Sequence, residues 1–302
     1  MDNINLKKRE YDLLTCYIIN LKIHSKDEKK EILYSDVIEK IYNLEGFFVK
    51  IGAKNGLSLK KIHKTNISTD LLGNEYWSFN KNNFIIYEGE FVKYKIEDEN
   101  DKYYNTISKE LKPGDPNSIE KPNAIPIKFY FVPEIHRIFL PVNSGVTPIQ
   151  AMNYFDKALL NIFEKQEFFN VEIAKSSEVI DRIYEFQSLK KLEISVSYTN
   201  DDLGNDAKKF VDLLLKEANT NKYKAEFVAE KNESLNMESS FIKGGIELSK
   251  ENGDLVASGE NEFGNKVVIN TKNKFEEYVL RLKKDSNPFI SILKQTLKNW
   301  RL

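Results

Sequence analysis

Cysteine is almost absent from this chain of 302 residues, which contains one. That residue, Cys16, cannot form an internal disulfide, and its place in the apolar run LLTCYII predicts a buried thiol that packs as a small hydrophobic side chain. Reactive thiols lie in partly exposed, electropositive surroundings, so this position argues against a cysteine nucleophile.

Long apolar runs and a net charge of one sign are lacking as well. No run approaches the roughly 18 residues of a membrane-spanning helix, and no apolar segment of a signal peptide follows the charged start MDNINLKKREYD. We therefore expect a cytoplasmic protein without membrane insertion. Because 45 basic residues balance 46 acidic ones, binding to nucleic acid would need a local basic patch.

The common motifs of catalysis and cofactor binding are missing too. The three histidines, His24, His63 and His136, are isolated from one another and have no zinc-site spacing. The phosphate loop, the dinucleotide-binding glycine pattern and the G-x-S-x-G motif are also absent. The string EIHR at 134–137 is predicted to be a turn with exposed polar side chains. From these patterns we assign no catalytic residue, metal ligand or cofactor.

A hydrophobic content of 41% with 12% aromatic residues predicts a folded chain with a real core. Four prolines interrupt residues 112–126, which reads as a linker because proline prevents a continuous helix. We therefore predict an N-terminal β-rich domain with one helix at 1–111, a linker at 112–126 and a C-terminal α+β domain at 127–302.

The N-terminal part reads mainly as strands. YDLLTCYIINLKI predicts a long strand, and SDVIEKIYNLEG predicts a helix that Ser35 caps and Gly46 ends. Three further runs, FFVKIGA, EYWSFN and FIIYEGEFVKYKI, predict short strands between glycine and asparagine turns. The prediction is a small mixed sheet with one helix.

The C-terminal part alternates strands and helices. After the strands IKFYFV and RIFLPV, Thr147, Pro148 and Gln150 form the pattern of a capped helix start. Helical spacing predicts a buried face made of Met152, Phe155, Leu159, Ile162 and Phe163. KLEISVS, NDAKKFVDLLLKEA and KAEFVAE then read as strand, helix and strand. This alternation indicates an α+β fold with a ferredoxin-like or related open sheet.

The segment NGDLVASGENEFGNKVVIN at 252–270 is rich in glycine and carboxylates. Its carboxylates do not keep the spacing of a calcium loop. Glycine and asparagine between two apolar runs are typical of a tight turn, and Gly264 can adopt the positive φ that such a turn requires. The segment therefore predicts a β-hairpin.

A divalent-metal nuclease is the alternative interpretation of this region. Such enzymes bring two or three carboxylates together on Mg²⁺, usually beside a lysine. Two sets contain the right residue types: Asp254, Glu260, Glu262 and Lys266, and Glu226, Glu230 and Lys231. With 46 acidic residues in the chain, such sets also arise by chance.

Basic residues cluster in two segments. Residues 46–69 contain no acidic residue and five lysines: Lys50, Lys54, Lys60, Lys61 and Lys64. Residues 278–302 contain one acid, Asp285, and six basic residues: Arg281, Lys283, Lys284, Lys294, Lys298 and Arg301. Clustered cations can bind phosphates without reading bases, although lysines on a helix exterior also serve solubility alone.

The final segment NPFISILKQTLKNWRL predicts a helix that Asn287 caps and Pro288 begins. Phe289, Leu293, Leu297 and Trp300 would form its buried stripe, and Lys294, Lys298 and Arg301 share another face. We predict phosphate contacts from Arg281, Lys283, Lys284, Lys294, Lys298 and Arg301, with Lys60, Lys61 and Lys64 as a second surface.

Acidic residues concentrate between the two basic segments. Residues 226–262 contain nine acidic residues and three lysines. This segment could bind a protein partner, which makes a protein-interaction module the third hypothesis.

The layout of residues 124–302 resembles that of the RexA-like proteins of phage exclusion and of the DNA-binding subunit of the Kiwa defence system. The matching features are the arginine-led strand at Arg137, the strand LEISVSY, the helix NDAKKFVDLLL, the strand start at Gly253 and the basic final helix. RexA-like proteins bind DNA without sequence preference and are dimeric. The resemblance implies a homodimeric DNA-binding protein of phage defence that has no chemistry of its own and acts with a second defence protein. It supplies no active site to carry over.

Overall fold

A computed structural model describes residues 10–25, 33–98, 100–115, 117–163, 167–197, 213, 215–220 and 222–300. The strands in this part of the chain are β1 (Tyr11–Ser25), β2 (Val49–Ile51), β3 (Asn55–Ser68), β4 (Asn83–Lys95), β5 (Lys102–Tyr104), β6 (Leu111–Pro113), β7 (Ile125–Val132), β8 (Arg137–Pro141), β9 (Glu167–Ile173), β10 (Ser188–Ser197), β11 (Lys222–Val228), β12 (Gly253–Glu260), β13 (Lys266–Asn270) and β14 (Glu277–Lys283). The helices are α1 (Tyr34–Tyr42), α2 (Thr69–Leu72), α3 (Pro148–Ile162), α4 (Ser177–Asp181), α5 (Ser240–Asn252) and α6 (Pro288–Trp300). None of these helices has both the length and the apolar character that crossing a membrane requires. The fold is α+β, as predicted.

The larger sheet has eight antiparallel strands in the order β14-β1-β8-β7-β4-β3-β2, with β9 as an additional partner of β1. The long strand β1, predicted from its sequence, holds this sheet together. Residues 11–17 of β1 pair with β14, residues 19–25 pair with β9, and residues 16–20 pair with β8 along the opposite edge.

The predicted linker at 112–126 does not separate two sheets. Strand β4, before it, pairs with β7, which begins at Ile125. Strand β1 likewise pairs with β8, β9 and β14, all of which follow the linker. Residues from both predicted domains therefore belong to one sheet, because backbone pairing joins segments that are distant in sequence.

Helices α1 and α3 cover one face of the larger sheet. Side chains alternate between the two faces of a strand, and the odd-numbered residues Ile19, Leu21 and Ile23 of β1 point toward these helices. The predicted buried face of α3 is confirmed, since Phe155 and Leu159 are buried and Met152, Ile162 and Phe163 pack beside them. This face holds the largest apolar core.

Helix α6 and a 3₁₀ turn at Asn74–Phe79 cover the opposite face. The even-numbered residues Cys16 and Ile18 of β1 pack here against Leu293 and Leu297 of α6. The larger sheet is therefore the middle layer between two apolar cores.

The smaller sheet has four antiparallel strands in the order β11-β10-β12-β13. Helix α5 packs on one face through Ile242 and Ile246, which contact a core that includes Ile194 and Leu255. In the ferredoxin-like layout the strands and helices follow the order β-α-β-β-α-β. Here α5 precedes two consecutive strands, β12 and β13, that form a hairpin, and the described residues do not confirm the complete ferredoxin-like order. The predicted helix at 205–218 lies mostly outside the described residues.

The predicted hairpin at 252–270 is confirmed. Strands β12 and β13 pair from Val256 opposite Asn270 to Glu260 opposite Lys266. In the turn between them, Asn261 Oδ1 accepts hydrogen bonds from the N–H groups of Phe263 and Asn265. Gly264 has a φ of 74°, the positive value that the turn requires.

Two local predictions near the N-terminal side are wrong. Helix α1 begins at Tyr34 with Leu33 as its cap, so Ser35 lies inside the helix. The Tyr34 hydroxyl accepts a hydrogen bond from the Ile23 N–H at 3.0 Å, a tertiary contact that sets this helix start. The run EYWSFN forms the 3₁₀ turn at Asn74–Phe79 and not a strand.

Candidate nucleic-acid interface

Helix α6 carries two of the lysines of the predicted interface, Lys294 and Lys298. Its start is as predicted: Asn287 Oδ1 accepts a hydrogen bond from the Phe289 N–H at 2.9 Å, and Pro288 is the first helical residue. The predicted stripe is confirmed as well, because Leu293 and Leu297 are fully buried and Phe289 and Trp300 pack beside them. These contacts fix the helix on the sheet and turn its polar side outward.

Lys294 and Lys298 lie one helical turn apart on this outward side. Lys298 is exposed and Lys294 is half-buried. Neither ammonium group has an ion-pair partner among the described residues. In the part of the chain that the structure describes, the pair therefore forms a small surface of two positive charges that no carboxylate compensates.

A glutamine side chain ties α6 to the edge of the sheet. Gln295 Oε1 accepts a hydrogen bond from the Arg281 N–H at 3.0 Å, and Gln295 Nε2 donates to the Arg281 carbonyl at 2.9 Å. The Ser291 hydroxyl accepts from the Lys283 N–H at 3.3 Å. Helix α6 is thus held along β14, the outer strand of the sheet.

The cations of β14 project from the other face of the sheet. Tyr278, Leu280 and Leu282 pack with α6, so the alternation of side chains places Arg281 and Lys283 on the opposite face. Lys284 forms an ion pair with Asp12, with 3.3 Å between Nζ and Oδ1. The predicted C-terminal patch is therefore divided between two surfaces, and Arg301 lies outside the described residues.

The second predicted surface, on β3, is largely compensated by carboxylates. Lys60 occupies a bulge in β3, and its Nζ lies 2.6 Å from Glu90 Oε1. Lys64 lies 3.2 Å from Glu39 Oε1. Lys61 is exposed and stands opposite Glu90 in the strand register.

The two basic strands, β14 and β3, are not neighbours. Four strands separate β14 from β3 in the larger sheet. At the usual spacing of about 4.8 Å between neighbouring strands, this separation is about 24 Å. The cations of these two strands therefore lie on separate parts of the sheet.

An exposed aromatic residue lies in the segment that packs beside α6. Trp77, in the 3₁₀ turn at Asn74–Phe79, is 50% exposed. Its neighbour Tyr76 is buried and donates a hydrogen bond from its hydroxyl to the Lys294 carbonyl at 2.8 Å. Burial raises the pKa of Tyr76 to about 12, so this phenol remains a donor at physiological pH. Sequence reasoning missed Trp77 because EYWSFN was read as a strand.

The carboxylates of the nuclease hypothesis are not brought together. Asp254 and Glu260 lie six residues apart on one strand, which is about 20 Å at 3.3 Å per residue. Asp254 instead pairs with Lys175, with 2.8 Å between Nζ and Oδ1. The described residues contain no group of three or more His, Cys, Asp or Glu side chains placed to hold a metal ion.

In the fold, lysines lie next to several carboxylates of the acidic segment at 226–262. Glu226 lies 2.8 Å from Lys191 Nζ, and Glu238 lies 2.6 Å from Lys243 Nζ. Glu247 lies 3.1 Å from Lys250 Nζ. These three of the nine carboxylates in the segment are therefore paired with lysines, as Asp254 is.

The sequence analysis also did not predict a set of buried polar residues in the larger sheet. Asn20 and Lys22 are fully buried on β1, and Arg137 of β8, opposite Asn20, is 4% exposed. The Arg137 guanidinium lies over the Trp300 ring, 4.5 Å from its centroid. The prediction of exposed polar side chains at 134–137 is therefore wrong. The signal was Asn20 and Lys22 at alternate positions in an otherwise apolar strand.

The cysteine and the described histidines lie in different surroundings. Cys16 is fully buried as predicted, and burial raises the pKa of its thiol to about 12. His136 stacks on Tyr34 with 3.7 Å between ring centroids, and His63 is exposed on β3. The side chain of His24 lies outside the described residues.

Comparison with known proteins places this chain in a family. No curated protein matches the sequence. The profile of a protein family described as a domain of unknown function, DUF4747, matches residues 14–298. This match begins within β1 and ends within α6, and it spans most of the 302 residues. The chain therefore belongs to the DUF4747 family.

Proposed function

We propose that this protein binds nucleic acid through phosphate contacts made by Lys294 and Lys298 of α6. The observation that supports the proposal is the contrast between these two lysines, one helical turn apart on α6, and three of the other predicted cations. Lys60, Lys64 and Lys284 each form an ion pair with a carboxylate. Lys294 and Lys298 have no ion-pair partner among the described residues.

Two uncompensated lysines on a rigid helix can bind a phosphate backbone without reading bases. Each neutralised phosphate releases condensed counterions, so the affinity falls as the salt concentration rises. For duplex DNA the slope of log K against log salt is about −0.9 for each phosphate neutralised. The proposal therefore predicts salt-dependent and sequence-independent binding.

The experiment compares two double variants that each remove two positive charges. Lys294→Gln with Lys298→Gln alters the proposed site. Lys60→Gln with Lys64→Gln is the matched control, since these lysines already pair with Glu90 and Glu39. Duplex affinity is measured by fluorescence anisotropy at several salt concentrations.

We expect the α6 variant to lower the magnitude of the salt slope by about 1.8, which corresponds to two lost phosphate contacts. The control variant should leave the slope close to that of the unmodified protein. Equal losses in both variants would show a general charge effect and would contradict the proposed site. Affinity that does not change with salt would contradict nucleic-acid binding itself.

We further propose that this binding serves phage defence in the cytoplasm, in a homodimer that acts with a second defence protein. The RexA-like layout of residues 124–302 supports this role. Phage plating on cells that produce the unmodified protein or the α6 double variant tests it, with sedimentation velocity as the measure of dimerisation. Protection by the unmodified protein alone is the expected result, and equal plating on both strains contradicts the role.

A further inference from the structure

The surface beside α6 presents a tryptophan that the structure holds in place. The backbone of the 3₁₀ turn around Trp77 is fixed, because the Asn80 N–H donates to the Trp77 carbonyl at 3.1 Å. Tyr76 stacks on Phe79 with 6.3 Å between centroids, and Phe79 packs edge to face on Phe84. Trp77 is thus a half-exposed indole on a rigid support.

The contacts with α6 place this turn next to the proposed phosphate site. The Tyr76 hydroxyl donates to the carbonyl of Lys294 itself. The short helix α2, which directly precedes the turn, also packs against α6. Trp77 and the two lysines are therefore carried by segments that contact each other.

The charges of this region are divided between the helix and the turn. Lys81, Lys294 and Lys298 supply three positive charges, and Asp70 and Glu75 supply two negative ones. The two lysines of α6 lie on the helix side, while both acidic residues lie in the segment that contains Trp77. A ligand that places phosphates on α6 and an uncharged aromatic group on Trp77 matches this division.

We propose that the ligand of this surface is single-stranded nucleic acid, with an unpaired base stacked on Trp77 and its backbone along α6. This inference rests on the proposed function and names its substrate class. Bases of a duplex are already stacked on each other, whereas every unpaired base offers a ring face to an aromatic side chain. The exposed indole therefore adds affinity for single strands and none for duplexes.

The chain allows a direct optical test because it contains two tryptophans, Trp77 and Trp300. Trp300 is half-buried against Tyr278 and Arg137. The full-length variant Trp300→Phe retains an aromatic ring there and leaves Trp77 as the single reporter. We expect titration with an oligothymidine to quench its fluorescence, and titration with a hairpin duplex of equal charge to leave it nearly unchanged.

A second variant measures the contribution of stacking to affinity. Trp77→Ala should weaken binding of the oligothymidine by roughly fivefold to 150-fold, the range expected for one stacked base. Its affinity for the duplex should not change. Leu71→Ala is the control, since Leu71 is an exposed apolar residue of the neighbouring α2 that offers no ring.

The outcomes separate this inference from the proposed function. If the α6 double variant weakens binding but Trp77→Ala leaves oligothymidine affinity unchanged, the stacking inference is wrong and the phosphate site stands. If the α6 double variant leaves all binding unchanged, the proposed function is wrong and the inference fails with it. Equal loss of single-strand and duplex affinity in Trp77→Ala would also overturn the inference.

Discussion

At the scale of single residues, Cys16 shows how burial controls chemistry. The thiol belongs to the core beneath α6, where it packs with Ile18, Leu280 and Leu293. Burial raises its pKa to about 12, and the reactive form of cysteine is the thiolate. The folded protein therefore keeps its only cysteine unreactive.

This property gives a labelling prediction. At pH 8, iodoacetamide should modify Cys16 in the native protein on the order of a thousandfold more slowly than in urea, because few thiols are ionised at a pKa near 12. Mass spectrometry of the intact chain measures the rate, and the single cysteine makes the signal unambiguous. Equal rates in buffer and in urea would contradict the buried position.

Residue types alone could not show which lysines are paired with carboxylates. Lys60 and Lys294 look alike in the sequence, and the difference lies in Glu90, which reaches Lys60 from a neighbouring strand. Glu90 is thirty residues away in the chain. Whether a lysine is compensated depends on strand pairing, which a count of charges along the sequence does not include.

At the scale of elements, signals contained within a few residues were read correctly. Thr147 and Gln150 form the predicted capping box at the start of α3. Gly264 and Asn261 form the predicted hairpin turn. Both depend on hydrogen bonds between near neighbours, which the local sequence specifies.

The elements read wrongly are those held by distant contacts. The 3₁₀ turn at Asn74–Phe79 packs through Tyr76, whose hydroxyl reaches a carbonyl 218 residues further along the chain. Its aromatic residues have high strand propensity, but propensity yields to tertiary packing when the two conflict. No local pattern in the sequence could have shown that this segment forms a 3₁₀ turn.

The edge of β14 provides a prediction at the same scale. Gln295 satisfies the outward N–H and carbonyl of Arg281, and unpaired edges of this kind can pair with other chains. Gln295→Ala should lower the free energy of unfolding by about 1–2 kcal/mol through the lost hydrogen bonds. It should also increase light scattering as the protein is concentrated.

Gln187→Ala is the matched control, because Gln187 is exposed and lies far from β14 in the fold. Urea unfolding and static light scattering are measured on both variants. A Gln295→Ala protein as stable and as monodisperse as the control would show that this side chain does not protect the edge.

At the scale of the whole molecule, ion pairs between distant segments make stability depend on pH. A hydrogen bond from Lys95 and one from the Asp98 N–H lower the pKa of Asp101 to about 2. A hydrogen bond from Lys60 lowers the pKa of Glu90, and hydrogen bonds from Tyr87 and Lys64 lower that of Glu39. These groups stabilise the folded protein as carboxylates.

The direction of the pH dependence of stability follows from these lowered pKa values. A carboxyl group with a lowered pKa in the folded state contributes its full stability above its unfolded pKa, near 4, and loses it as the pH falls toward its folded pKa. We therefore expect the urea concentration at the midpoint of unfolding to decrease as the pH is lowered from 5 to 2. Burial raises the pKa of Asp156. Protonation of this group at low pH therefore has the opposite effect on stability. Asp101→Asn should flatten this dependence, and an unchanged profile would contradict the role of Asp101.

The arrangement of strands was the part of the fold least accessible from the sequence. The patterns predicted β1 as a strand, but they could not show that it pairs with β8, β9 and β14. The prolines at 112–126 were read as a boundary between domains. They lie from the end of β6 to the start of β7, and β7 pairs with β4 in one sheet.

The pairing of β1 with β14 also determines the order in which the chain can mature. The ribosome makes β1 long before β14, since β1 begins at Tyr11 and β14 begins at Glu277. Until β14 and α6 leave the exit tunnel, β1 lacks one partner, and the apolar side chains beneath α6 have no cover. The larger sheet is therefore complete only after α6 has been made, and a nascent chain that stalls before Glu277 exposes these apolar side chains.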